Sequence, residues 1–176
     1  TGDELVEPGE TPGPDQIVSS NSYGLHALLA ARGAAPRLAP IARDTMESLA
    51  AAFEAVADAD MVVTLGGASV GDHDLVGRAA AEAGLSLDFW KVNMRPGKPL
   101  MAGRLPGGRP LLGLPGNPVS AMVCAQLFLL PAVDALSGLP GAAPRRLPAR
   151  LLEGVGPNGP REHFARARLE PGPEGL

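Results

Sequence analysis

Met61-Val-Val-Thr-Leu65 is apolar, β-branched at its centre and free of polar alternation, and it runs directly into Gly66-Gly67. A strand of that composition is covered on both faces, which calls for an α/β sheet layered between helices. Ligands in such sheets bind beyond the C-terminal ends of the strands. Gly66, Gly67 and Gly71 remove side chains where the backbone turns and let an anion approach its N–H groups. Ser69, Asp72 and Asp74 follow within the same loop. The glycine spacing is not G-x-G-x-x-G and no Gly-Lys-Ser/Thr follows Gly71, so the dinucleotide fingerprint and the nucleoside-triphosphate P-loop are both excluded. A plainer reading stands beside the functional one: Asp72 as the N-cap of the next helix and Asp74 in its first turn.

The rest of the chain alternates in the same way. Ser19, Ser20 and Asn21 offer N-caps for a helix that carries Leu25, Leu28 and Leu29 and stops at Gly33. Arg37–Ala42 reads as a short strand. A helix through about Ala57 follows, with Met46, Leu49, Phe53 and Val56 at helical spacing and Asp44 with Glu47 as its capping box. After the central strand and its loop, a helix to Ala83 and a strand from Leu87 to Val92 are expected. Right-handed crossovers then set the loops after residues 42, 65 and 92 along one edge of a mostly parallel sheet. Leu100–Leu105 and Pro110–Leu114 form a hairpin. Asn117 as N-cap and Pro118 at the first helical position open an apolar helix to about Leu136, and its first-turn N–H groups with the Ser120 hydroxyl form an anion site. Residues 147–152 and 163–169 read as two strands of a further β unit.

Two lysines stand among fifteen basic residues, and both, Lys91 and Lys98, fall in Lys91-Val-Asn-Met-Arg95-Pro-Gly-Lys98-Pro99. Three cations on a frame stiffened by prolines and a glycine suit an oxyanion. A net charge of −4 with one Trp and one Tyr provides neither a basic groove nor a stacking platform, so nucleic acid is not an expected partner. The apolar runs are interrupted before the length of a membrane span, and the single cysteine, Cys124, reads as buried; both features favour a soluble, cytoplasmic protein. Thr1-Gly-Asp-Glu4 would ordinarily follow a strand, and the chain reads as a piece of a longer protein.

Four separated pieces, Thr1-Gly-Asp-Glu4, Gly66-Gly-Ala-Ser-Val-Gly-Asp-His-Asp74, Arg95-Pro-Gly-Lys-Pro99 and Leu114-Pro-Gly-Asn-Pro-Val-Ser120, occur in the order and spacing of the molybdopterin molybdenumtransferases. The chain resembles this MoeA/gephyrin E-domain family. The resemblance implies a three-layer, mostly parallel, MogA-like molybdopterin-binding domain over residues 1–140 and a truncated C-terminal β domain over 147–176. It further implies insertion of molybdenum from molybdate into adenylylated molybdopterin, with Mg²⁺ assisting and AMP released, in a homodimer whose site is completed across the interface. Glu4, Asp44 and Asp74 match the family's acidic positions, with Asp44 and Asp74 as metal ligands. Gly66, Gly67, Ser69, Lys91, Arg95, Lys98, Pro99, Asn117 and Ser120 match the substrate and oxyanion site. Thr-Gly-Asp-Glu and the Gly-Gly loop are shared with adenylylating molybdopterin proteins and with CinA-like nucleotide pyrophosphatases, so those activities stay open. A non-catalytic scaffold role is the alternative from another class.

Overall fold

The computed structural model describes residues 1–67, 75–140 and 146–170. Its short elements β1 (Leu5–Val6) and β2 (Ile17–Val18) pair in parallel, and α1 (Asn21–Ala31) and α2 (Met46–Ala55) follow. The main sheet takes β3 (Val62–Leu65), β4 (Ser86–Trp90), β6 (Met101–Leu105) and β7 (Arg109–Leu114) in the order β3-β7-β6-β4. Between them lie α3 (Leu75–Glu82) and the two-residue β5 (Met94–Arg95). β3 pairs in parallel with β7, β7 antiparallel with β6, and β6 antiparallel with β4. Three of the four strands therefore run the same way, and only the hairpin strand β6 is reversed.

Alternation along β7 divides the core. Leu111 packs with Leu49, Val62, Val76, Ala79 and Ala80 on one face, whereas Leu112 and Leu114 pack with Leu25, Leu100, Cys124, Ala125 and Leu129 on the other. α2 and α3 cover the first face; α1 and the helix from Pro118 cover the second. The expected three layers, with helices on both faces of the sheet, are thus present.

Several local expectations are corrected. The 61–65 run lies at an edge of the sheet, and β7 lies inside it. Arg37–Ala42 forms no strand and pairs with none of the described strands. The cap of α2 is Thr45, whose hydroxyl accepts from the Ser48 N–H at 3.2 Å while the Ser48 hydroxyl accepts from the Arg43 N–H at 2.9 Å. Asp44 and Glu47 do not make that box, which leaves the Asp44 carboxylate for other partners. Residues 147–152 form no strand; instead β8 (Glu162–His163) pairs in parallel with β5.

The C-terminal helix of the second face is continuous over Pro118–Leu136, the span expected of it. α4 (Pro118–Cys124) passes through a π-turn at Ala125–Leu129 into α5 (Leu130–Leu136). Pro131 explains the wide turn, since its ring would meet the carbonyl four residues back in a regular helix. By length and composition this helix could cross a membrane. Ala121, Cys124, Ala125 and Leu129 are nevertheless fully buried against the sheet, as in the core helix of a globular domain. It also carries the buried Asp134, which accepts from Arg32 Nε at 2.7 Å and Nη2 at 2.5 Å.

Arg32 holds the Asp134 carboxyl below its ordinary range, chiefly through those hydrogen bonds. A carboxylate with a lowered folded pKa stabilises the fold above its ordinary pKa, and this contribution is lost as pH falls through the lowered value. Thermal unfolding followed from pH 7 downwards should show this loss setting in below about pH 4. Asp134→Asn should melt lower at neutral pH and show a flatter acid limb; equal acid limbs would remove the pair from the account.

Candidate functional site

The register sets the strand ends in one row. Leu65 lies beside Leu114, Gly113 beside Met101, and Met101 beside Trp90, so the chain leaves β3, β7 and β4 at the same edge of the sheet. The N-terminal loop joins them there. The Thr1 ammonium donates to the Leu65 carbonyl at 2.8 Å, and the Gly2 N–H donates to the Ala42 carbonyl at 3.0 Å. Gly66 has a φ of 80°, and a Cβ on it would lie 3.1 Å from the Thr1 carbonyl oxygen and 3.8 Å from the Gly116 Cα. That close approach of three backbones requires glycine. The Asn21 side chain closes the group by donating to the Gly116 carbonyl at 2.7 Å.

On the acidic side, Asp3 and Asp44 hold each other. The Asp44 N–H donates to Asp3 Oδ1 at 3.1 Å, and the Asp3 N–H to Asp44 Oδ2 at 3.4 Å. Arg43 braces the same turn, its Nη1 donating to the Leu5 carbonyl at 2.9 Å. Burial is the main influence on the Thr1 ammonium and lowers its pKa, while Glu4 and then Asp44 pull it upward. Both carboxylates thus favour positive charge at one point, and both are exposed.

On the basic side, Lys91, Arg95 and Lys98 are exposed, and none has a carboxylate partner among the described residues. Lys91 adopts a φ of 74° and sets its Nζ 4.7 Å from the Trp90 ring centroid, a cation–π distance. The frame of the loop is closed by the Lys91 N–H on the Leu100 carbonyl at 2.8 Å and the Val92 N–H on the Lys98 carbonyl at 3.0 Å. Half-buried Pro99 ends it. Gly97, at φ 104°, fits against the Cys124 sulfur, and a Cβ there would stand 2.5 Å from it. This contact seats the Arg95–Pro99 loop on the second turn of the helix that begins at Pro118. Burial pushes the Cys124 thiol up to about 11, so it is a packing group and not a nucleophile.

The helix start offers fewer donors than its sequence suggests. Asn117 Oδ1 accepts the Ser120 N–H at 3.1 Å and the Ser120 hydroxyl at 3.4 Å, and the Ala121 N–H is held by the Asn117 carbonyl at 2.8 Å. Pro118 has no N–H, which leaves the Val119 N–H as the uncommitted first-turn donor among the described residues. A cavity of about 550 Å³ lies beside it, lined by Pro96 and Val119 and by His163, Phe164, Arg166 and Arg168 of the C-terminal segment. That segment is tied to β5 by the Glu162 N–H on the Asn93 carbonyl at 3.0 Å and the Phe164 N–H on the Arg95 carbonyl at 2.8 Å.

Ser69 and Asp74 lie outside the described residues. Of the other expected residues, Glu4, Asp44, Gly66, Gly67 and Asn117 gather around the ends of β3 and β7, and the Gly97–Cys124 contact seats the loop of Arg95, Lys98 and Pro99 on the helix whose first turn carries Ser120. Lys91 stands apart over Trp90. Asp3, Arg43 and Asn21 were missed. Asp3 was legible as a second carboxylate beside Glu4, whereas Arg43 and Asn21 act through backbone carbonyls that no sequence pattern marks.

A family model described as "Probable molybdopterin binding domain" matches residues 1–135. The chain belongs to that family. Among molybdopterin-binding relatives, it is 43% identical over 142 residues to the molybdopterin molybdenumtransferase of Nostoc sp., covering 79% of this chain and 33% of the relative. It is 37% identical over 177 residues to molybdopterin molybdenumtransferase 2 of Mycobacterium tuberculosis, covering 97% of this chain and 43% of that one. A solved molybdopterin biosynthesis MoeA protein of Pyrococcus horikoshii superposes with a TM-score of 0.67 at 33% identity over 80% of this chain and 34% of its own. The chain therefore spans less than half the length of these relatives.

Proposed function

We propose that this chain is the pterin-binding part of a molybdopterin molybdenumtransferase, which inserts molybdenum from molybdate into adenylylated molybdopterin and releases AMP in the cytoplasm. The observation that supports the reading is that an acidic turn, a glycine crossing and a helix-seated basic loop all lie beyond strand ends at one edge of the sheet. The two charge types suit the two halves of the demand: carboxylates for a cation, and Arg and Lys for phosphate and molybdate oxyanions. A homodimer in which a partner completes the site belongs to the same proposal.

The acidic turn fits Mg²⁺. Glu4 and Asp44 already favour a positive charge where the Thr1 ammonium lies. Mg²⁺ takes one or two carboxylates and completes its shell with water and phosphate, a demand that this turn suits. Asp44, with Asp74, would hold it, and it would supply neutralisation of the phosphoanhydride oxygens. Asp3 positions Asp44 through their reciprocal hydrogen bonds. Lys98 and Arg95 would bind the molybdate and phosphate oxygens, Ser69 and Ser120 would offer hydroxyl donors, and Gly66 and Gly67 would leave room for the substrate over the crossing.

Lys98→Ala should weaken molybdate or sulfate binding about 10- to 100-fold by calorimetry, through loss of a charge-assisted hydrogen bond. Unchanged affinity would place the anion elsewhere. The activity itself is tested by supplying adenylylated molybdopterin with molybdate and, separately, molybdopterin with ATP. Consumption of the first pair supports the transferase reading, and consumption of the second would replace it with adenylylation.

A further inference from the structure

Arg43 lies next to Asp44 in sequence and against the Asp3-Glu4 turn in space, where a guanidinium would ordinarily pair with a carboxylate. It makes no ion pair among the described residues. Its Nη1 instead faces three backbone carbonyls of one turn, Leu5 at 2.9 Å, Asp3 at 3.3 Å and Gly2 at 3.4 Å. Arg43 is exposed and belongs to neither core cluster, so apolar packing does not account for this arrangement.

The two carboxylates of interest both hang on the turn that Arg43 gathers. Glu4 folds back over Gly2, which has a φ of 140° and no side chain; a Cβ there would stand 2.6 Å from Glu4 Oε1. Asp44 is tied to Asp3 by the pair of N–H donations, and the Gly2 N–H reaches the Ala42 carbonyl one residue before Arg43. We infer, on the Mg²⁺ reading of this turn, that Arg43 is its positioning residue: it holds the Glu4 and Asp44 carboxylates in one place while its own N–H groups turn to carbonyls and pair with neither. Two effects of opposite sign then separate this role from that of a surface charge. A positive charge near two carboxylates repels a cation, so by Coulomb's law alone its removal tightens cation binding. Loosening the turn does the reverse, because groups that orient a metal's ligands are worth about 10- to 100-fold in affinity. The side chain can be replaced without unlatching the backbone, since the Arg43 N–H donates to the Ser48 hydroxyl at 2.9 Å and Thr45 caps α2.

Mn²⁺ titrated into the chain, with the free ion followed by paramagnetic resonance, reads that sign. Arg43→Met should bind Mn²⁺ about 10-fold more weakly than the parent, and Arg43→Lys, which restores three donors on a shorter stem, should recover part of the loss. Amide exchange at Asp44 should quicken about 10-fold in Arg43→Met while Leu49 of α2 keeps its protection. Equal or tighter Mn²⁺ binding by Arg43→Met, or unchanged exchange at Asp44, would overturn the positioning role and leave the cation reading standing. A parent chain that binds no Mn²⁺, or that binds it equally after Asp44→Asn, would overturn the cation reading itself and the role of Arg43 with it. Should Arg43→Met fail to fold, Arg43→Gln, neutral and shorter, is read by the same two measurements.

Discussion

Gly97→Ala is expected to destabilise the chain by about 2–4 kcal/mol. Two separable causes contribute. At φ 104° an L side chain is strained whatever surrounds it. In addition, the new Cβ would stand 2.5 Å from the Cys124 sulfur, inside a helix that cannot retreat because Cys124 and Ala125 are fully buried. A double-mutant cycle with Cys124→Ala distinguishes the two, since removing the sulfur relieves the contact and leaves the backbone strain. Urea unfolding should show a lower midpoint at unchanged slope for Gly97→Ala and partial recovery in the double variant. A single variant within about 0.5 kcal/mol of the parent would mean that the loop is not seated on the helix. On the proposed anion site, Arg95 and Lys98 lose their fixed position, so anion affinity should fall together with stability.

The layered architecture was legible because its carriers are local. The unbroken apolar run at 61–65, the Asn117-Pro118 start and the glycine stops at 33 and 84 each act within a few residues of themselves. What could not be read was pairing. Whether 37–42 becomes a strand depends on a neighbour, and its own composition carries no sign of whether that neighbour is present. The same holds for the tail, where 147–152 looks as strand-like as Glu162–His163, yet only the latter finds an edge to bond with, at Met94–Arg95.

At the site, charged residues were legible from type and spacing, but the competition for hydrogen bonds was not. Asp44-x-x-Glu47 and Thr45-x-x-Ser48 are offset by one residue, and both satisfy the chemistry of a helix cap. The chain uses Thr45, and this choice changes what Asp44 can do. In the same way Ser120 looks like a free donor in sequence, whereas its amide and hydroxyl both turn back to Asn117.

Asp44→Asn therefore makes a sharp test of the acidic turn. Because Thr45 caps α2, the substitution removes no helix cap, and an asparagine oxygen can still accept the Asp3 N–H that now reaches Asp44 Oδ2 at 3.4 Å. The fold should survive with a stability change within about 0.5 kcal/mol. One unit of negative charge is lost, however, at the point where Glu4 and Asp44 together favour a cation. The pKa of the Thr1 amine, which Asp44 raises, should move further down, and amine labelling as a function of pH reads that shift without any substrate. On the proposed function, Mg²⁺-dependent AMP release from adenylylated molybdopterin should fall by about 10²-fold or more, because the proposed metal site would lose a charged ligand. A well-folded Asp44→Asn protein with a shifted Thr1 amine but ordinary turnover would show that the charge is present and that the chemistry does not use it, leaving Glu4 and Asp74 as the carboxylates to examine.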